Sequence, residues 1–241
     1  MTKHVTGYLR RALGALMVAG ALGVAGPAAA GDNPHDPYEG FNRAMFAVNE
    51  GLDMVLFKPI AQGYDAALPL PAQAGISSFF DNLLEIQNAL NNLLQGKGGD
   101  AAIDLGRLLV NSTVGIFGLF DVASELGLEN HREDFGQTLA VWGWAESDFL
   151  FWPILGPRTV RDTGGWVVDA YTDPTWYTLN KSVAARNSLV ALRFVDLRAS
   201  LLPTDKLVDE AALDKYAYVR DGYLQRRRNL IHDGRAPRLD D

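Results

Sequence analysis

DPYEGFNRAMFAVNEGLDMVLFKPIAQGY, from Asp36 to Tyr64, is the stretch on which the fold turns. Asp36-Pro37 is a turn and helix-start signal, since proline is tolerated in the first helical turn, where its missing N–H leaves no bond unmade. Phe41, Met45, Val48, Leu52 and Val55 then recur at spacings of four, three, four and three, which is one face of a helix. Asn42, Phe46, Asn49 and Asp53 make a second stripe, largely polar, at spacings of four, three and four. Lys58-Pro59 is expected to end this helix, because the residue before a proline is pushed out of helical geometry.

Outward from this stretch the chain continues to read as helices. Ser77 to Gln95 is predicted as one, with a break near Glu85; Asn82, Asn88, Asn91 and Asn92 lie among Phe79, Phe80, Leu83, Leu84, Ile86 and Leu90, and Gly96 stops it. Asp100 caps the next, to about Asn111, with Ala102, Leu105, Leu108 and Leu109 expected inward. Val114 to Asp121 is uncharged and carries Gly115 and Gly118, each costing about 1 kcal/mol against alanine in a helix. It reads as a mobile apolar hairpin or loop, or as glycine-mediated close packing in the core. An exposed apolar loop is unfavourable unless it meets lipid or a partner.

Gln137 to Trp144 reads as a short helix rather than a strand, for want of strand partners nearby. Phe149 to Pro157 is a buried core turn or, with two Phe and a Trp in its first four positions, a membrane-interface segment. Asp162 to Asn180 is a Gly/aromatic stretch containing Trp166, Tyr171, Trp176 and Tyr177. Asn187 to Leu202 is apolar on most sides, so it is expected to be buried, and Pro203-Thr204-Asp205 breaks it and caps its successor. The last helix, Leu213 to Ile231, has an apolar seam of Tyr216, Val219, Tyr223 and Leu230. Arg226, Arg227 and Arg228 complement its dipole, either as a solvated helix end or as a docking patch for an acidic partner or lipid phosphate.

Residues 1–30 read as a cleaved signal peptide: Lys3, Arg10 and Arg11 precede the uncharged run Ala12 to Gly26, and Ala28-Ala29-Ala30 offers a cleavage site. The run falls short of the roughly 20 apolar residues that span a bilayer, as does every later segment. Without those three basic residues the chain has 19 Lys plus Arg against 29 Asp plus Glu, a net charge of −10, which argues against nucleic acid. Residues 31–232 read as one helical domain, and 233–241 as a disordered tail. There is no cysteine, so disulfides, thiolate metal sites, a cysteine nucleophile and a lipid-modified cysteine are all excluded from this sequence. No hydrolase elbow, zinc-protease, Walker A or dinucleotide fingerprint occurs, and His35, His131 and His232 lack metal-ligand spacing. No cofactor, metal or catalytic residue is expected.

Five blocks, in order over residues 36–232, carry a resemblance. They are Asp36 to Phe46 continuing through Asn49, Asp53, Lys58-Pro59-Ile60-Ala61 and Tyr64; Asn82-Leu83 to Gln95-Gly96; and Arg107 through Asn111-Ser112-Thr113 to Gly115, then Gly118 to Ala123. The last two are Asp134 to Leu139 with Trp142-Gly143, Pro153 to Pro157 and Arg161-Asp162; and Tyr218-Val219-Arg220 with Tyr223 to Arg227. The chain resembles the MlaA/VacJ family of bacterial outer-membrane proteins.

The resemblance implies an all-α, ring-like single domain lying in the inner leaflet of the outer membrane, on its periplasmic side, with no transmembrane span. It implies an amphipathic channel that passes mislocalised outer-leaflet phospholipids to a soluble periplasmic carrier, maintaining lipid asymmetry, in association with a porin trimer and with no reaction catalysed. On it, Asn42, Phe46, Asn49 and Asp53 line or brace the channel. Gly115, Ile116, Phe117, Gly118, Leu119 and Phe120 form a gating hairpin, and Arg226, Arg227 and Arg228 dock the partner. A periplasmic lipid hydrolase and a porin-associated scaffold are the alternatives.

Overall fold

The computed structural model describes residues 36–144, 146–175 and 182–236. The expected signal peptide, Trp176 and Tyr177, and residues 237–241 lie outside this set. Helix α1 (Glu39–Leu52) runs through a π-helical turn (Asp53–Phe57) into α2 (Lys58–Ala67). Lys58-Pro59 therefore does not end the helix. A proline lacks an N–H and presses its ring on the carbonyl four residues back; the wider turn, in which the Lys58 N–H reaches Asp53 O, absorbs it.

Helix α3 (Leu70–Leu94) is unbroken at Glu85, and Gly96 ends it at φ +80°. Then come α4 (Gly98–Thr113), α5 (Val122–Glu125) and α6 (Phe135–Val141), the last as a helix, as expected. Strands β1 (Phe149–Trp152) and β2 (Gly156–Thr159) pair antiparallel, with Phe149 opposite Thr159 and Trp152 opposite Gly156. Helices α7 (Val160–Thr172), α8 (Val183–Ser200), α9 (Leu202–Ala211) and α10 (Lys215–Ile231) complete the chain. Side chains of Asp121, Asp134, Thr159, Ser182 and Asp214 cap α5, α6, α7, α8 and α10 by accepting a backbone N–H from the first turn.

The fold is helical, as expected, with one small hairpin where a core turn or interface segment was read. Phe149 and Phe151 alternate inward along β1 and form the apolar core with Met45 and Tyr216. Phe46, from the second stripe of α1, meets the rings of Phe151 and Tyr216 edge to face. After Ile231 the chain still belongs to the body at Asp233, which Lys97 reaches at 2.5 Å.

Elsewhere, apart from Phe80 and scattered alanines, the buried side chains are polar. Along α3, the buried side chains include Asn82, Glu85, Gln87, Asn88, Asn91 and Asn92, while Ile86, Leu90 and Leu93 are exposed. Along α4, Asp104, Arg107 and Asn111 are buried; Leu105 and Leu109 point outward, against the expected inward set, and Leu109 is 66% exposed. In α8 the buried residues are Asp196 and Ala199, with Val190 and Leu197 exposed, so this helix too is not the buried apolar rod its composition suggested. Among the described residues no helix is long and apolar enough to cross a membrane.

Candidate functional site

Two polar assemblies occupy the interior. In the first, Glu85 of α3 and Arg107 of α4 pair at 2.6 Å, both nearly inaccessible. Arg107 also donates to Ser124 Oγ, Leu128 O and Asp121, tying down the loop after α4, and Asn130 and Asn88 donate to the Glu85 oxygens. One helical level further, Asn92 donates to Asp104 at 2.8 Å, and His131 Nδ1 lies 3.1 Å from the same carboxylate. Burial raises the pKa of both Glu85 and Asp104 against these opposing contacts.

The second assembly is a cavity of about 390 Å³ faced by α3, α6, β2, α7, α8 and α10. Its floor is built around Asp162, which accepts from Tyr223 Oη at 2.7 Å, from Arg161 at 2.9 Å and from Arg227 at 2.9 Å. Arg227 also pairs with Asp134, the cap of α6. Gly136 and Gly165 allow α6 and α7 to touch here: a Cβ on Gly165 would lie 2.3 Å from the Gly136 nitrogen, and one on Gly136 would lie 2.6 Å from Asp162 Oδ1. At the wall, Asp169 accepts the Phe135 N–H at 3.0 Å; burial pushes its pKa up to about 6. Arg158 lies over the Trp166 ring, and burial lowers the pKa of its guanidinium.

The residues singled out from the sequence fall in separate places. Asn42 is fully buried: its amide donates to Asp36 at 2.7 Å and to Phe149 O, and its carbonyl accepts the Phe151 N–H at 2.8 Å. Asn49 does the same one rung on, between Trp152 O and the Ile154 N–H. These two asparagines bracket β1, and Phe46 packs between them and Tyr216. Asp53 forms a two-toothed pair with Arg198 at 2.6 and 2.7 Å, and Arg198 goes on to Asp205.

In the 115–120 turn the backbone of Gly115 and Gly118 is buried while Ile116, Phe117, Leu119 and Phe120 are exposed. Of the arginine triplet, Arg227 is buried in the cavity network and is no surface docking group; Arg226 is exposed at the cavity's edge. Sequence reasoning did not pick out Glu85, Arg107, Arg158 or Asp169. A lone acid inside an apolar-rich helix signals a buried pair, and that signal could have found Glu85; Arg158, between Pro157 and Thr159, carries none.

The sequence model described as MlaA lipoprotein matches residues 34–230, nearly the whole described body. The chain belongs to the MlaA lipoprotein family. Every residue lining the cavity falls inside that match. The intermembrane phospholipid transport system lipoprotein MlaA of Escherichia coli K12 is 33% identical over 204 residues, covering 83% of this chain and 79% of the relative. The Haemophilus influenzae protein of the same description is 31% identical, covering 83% and 81%. An uncharacterized protein of Rickettsia typhi is 35% identical over 187 residues, covering 77% and 74%. A solved structure described as the structural basis for maintenance of bacterial outer membrane lipid asymmetry superposes with a TM-score of 0.70 at 32% identity, over 81% of this chain and 98% of that one. The family match thus runs across the helices and the hairpin that enclose the cavity.

Proposed function

We propose that this chain is the outer-membrane component of an intermembrane phospholipid transport system, and that it maintains lipid asymmetry by carrying phospholipid through its polar interior. The observation that carries this reading is the reversed amphipathicity of α3 and α4, which bury Asn, Gln, Glu, Asp and Arg while turning leucines outward. In water such a protein would leave a large apolar surface uncovered. Lying in one lipid leaflet it covers that surface with acyl chains and offers the headgroup a path of hydrogen-bonding groups. A charged phosphate pays heavily to cross bare hydrocarbon. Association rests on many short apolar segments rather than a span.

On this reading the chain catalyses no reaction and sits on the periplasmic side of the outer membrane beside a porin. It hands lipid to a soluble carrier that docks near Arg226 and Arg228, while the 115–120 turn acts as the gate. Deleting the gene from its host is expected to raise outer-leaflet phospholipid, measured by surface phospholipase accessibility, and a plasmid copy to restore it. Unchanged asymmetry in the deletion strain would refute the proposal.

A further inference from the structure

Around the polar cavity the charges do not balance in kind. The five carboxylates that line it are all engaged: Asp81 by Arg132 at 2.8 Å, Glu133 by Lys97 at 3.0 Å, Asp134 and Asp162 by Arg227, and Asp169 by a backbone N–H. The Arg158 side chain, by contrast, makes no hydrogen bond or ion pair with any described residue, and its Nε is sealed from solvent. Its position is nonetheless tightly set. The backbone is held in β2 opposite Leu150, Pro157 stiffens the residue before it, and the guanidinium carbon lies 5.2 Å from the Trp166 ring centroid.

A buried N–H without an acceptor is costly, and here it belongs to a half-buried guanidinium whose terminal nitrogens are not sealed and have no acceptor among the described residues. The space beside it is an order of magnitude larger than the roughly 30 Å³ share of one water, and falls in the range of ligand sites. The cavity wall combines Leu84, Trp166 and Leu230 with the unpaired cation, and the exposed Arg226 stands at its edge. An amphiphile with one anionic phosphate and an apolar flank fits that lining. A guanidinium fork takes two oxygens of a phosphate in parallel N–H···O bonds, and the apolar wall beside it suits the lipid portion of the same molecule.

We propose that Arg158 is the phosphate-receiving residue of this cavity, binding the phosphodiester of a phospholipid headgroup through its terminal N–H groups. This rests on the phospholipid reading above and adds to it a specific contact. The chemistry is that of a phosphate anion, which a lipid or free phosphate could supply, and the test separates the two.

The full chain, purified in detergent, is titrated with short-chain phosphatidylglycerol and, separately, with inorganic phosphate, using calorimetry and tryptophan emission. The lipid is expected to bind saturably and to change emission, and Trp166→Phe should abolish the emission change while leaving the calorimetric signal. Loss of charge-assisted bonds predicts about tenfold or greater weakening in Arg158→Gln and a smaller loss in Arg158→Lys. Arg235→Gln, an exposed change outside the cavity, should bind as wild type. Equal lipid binding by wild type and Arg158→Gln overturns the Arg158 assignment and leaves the transport reading intact. Inorganic phosphate binding as tightly as lipid overturns the headgroup assignment. No phospholipid binding by wild type, joined to normal asymmetry in the deletion strain, removes both. Should Arg158→Gln fail to fold by circular dichroism, the wild-type protein decides: lipid binding without a Trp166-dependent emission change overturns the proposal.

Discussion

Glu85 and Arg107 exchange water for each other, and the exchange works only because every remaining atom finds a partner. Removing one member of such a buried pair typically costs about 3–5 kcal/mol, since the other is left charged and dry. Asp169 is a less settled case. It has only the Phe135 N–H and weaker neighbours to offset burial, so its carboxyl holds its proton up to about pH 6, above its unfolded value. An acid whose pKa is raised on folding binds more protons folded than unfolded. Its contribution to stability is therefore lost as pH rises from about 4 through 6, and above that the fold bears the cost of the buried charge. Asp169→Asn keeps a carbonyl to accept the Phe135 N–H and removes that cost. The substitution is expected to raise Tm by several degrees at pH 7.5, corresponding to about 2 kcal/mol after allowing for partial exposure, and to change it little at pH 4. Thermal unfolding of both proteins across pH 4–8 checks this; a Tm difference independent of pH would contradict the assignment.

The turn at 114–120 shows what a short element can store. Ile116 and Phe117 sit in the left-handed region at φ +51° and +57°, which costs a residue with a side chain on the order of 1–2 kcal/mol each. The strain is held by backbone packing: a Cβ on Gly115 would meet Phe120 O at 2.2 Å and Asn111 O at 2.6 Å, and one on Gly118 would meet Asn82 Cβ at 2.6 Å. Gly115→Ala must displace backbone on both sides, so a loss of about 1–3 kcal/mol is expected, read as a lower denaturant midpoint. Gly51→Ala is the contrasting change. It lies within α1 with nothing within 4 Å of the added methyl, so a gain of about 0.5–1 kcal/mol is expected. If both variants shift the midpoint alike, the turn is not packed as described. At this scale the sequence was readable for the presence of helices, because periodicity and capping residues are local signals. It was not readable for which face points inward: α4 was oriented by its leucines, whereas Asp104, Arg107 and Asn111 decide it through partners distant in sequence. The π turn before Pro59 was hidden for a similar reason, since a proline marks a helix boundary in local terms and only packing reveals that the helix continues.

Across the whole molecule the same reversal recurs on α3, α4, the π turn and the 114–120 turn, and it sets where the protein is stable. Met54, Val55, Leu109, Val114 and Phe117 are each at least 66% exposed, and none of them contributes to the small apolar core around Phe149. Their burial must come from outside the chain. Each such side chain gains about 1.5–3 kcal/mol on leaving water, so a handful suffices to hold the body in a leaflet without a span. The polar cavity takes its lining from α3 and five other elements, and that lining was invisible to a reading by motif: Asp162, Trp166 and Asp169, or Tyr223, Arg226 and Leu230, each keep helical spacing, but nothing local says that these faces meet. The two faces make opposite demands on a test. Replacing Leu109 and Phe117 together by aspartate leaves the interior networks untouched, so helical content by circular dichroism should remain that of wild type. Membrane affinity should fall at least tenfold in a vesicle flotation assay with phosphatidylethanolamine and phosphatidylglycerol, because both apolar gains are lost and two charges face hydrocarbon. Flotation at the wild-type level by a folded double variant would show that these faces do not meet lipid, and the reversed helices would then need a protein partner to cover them.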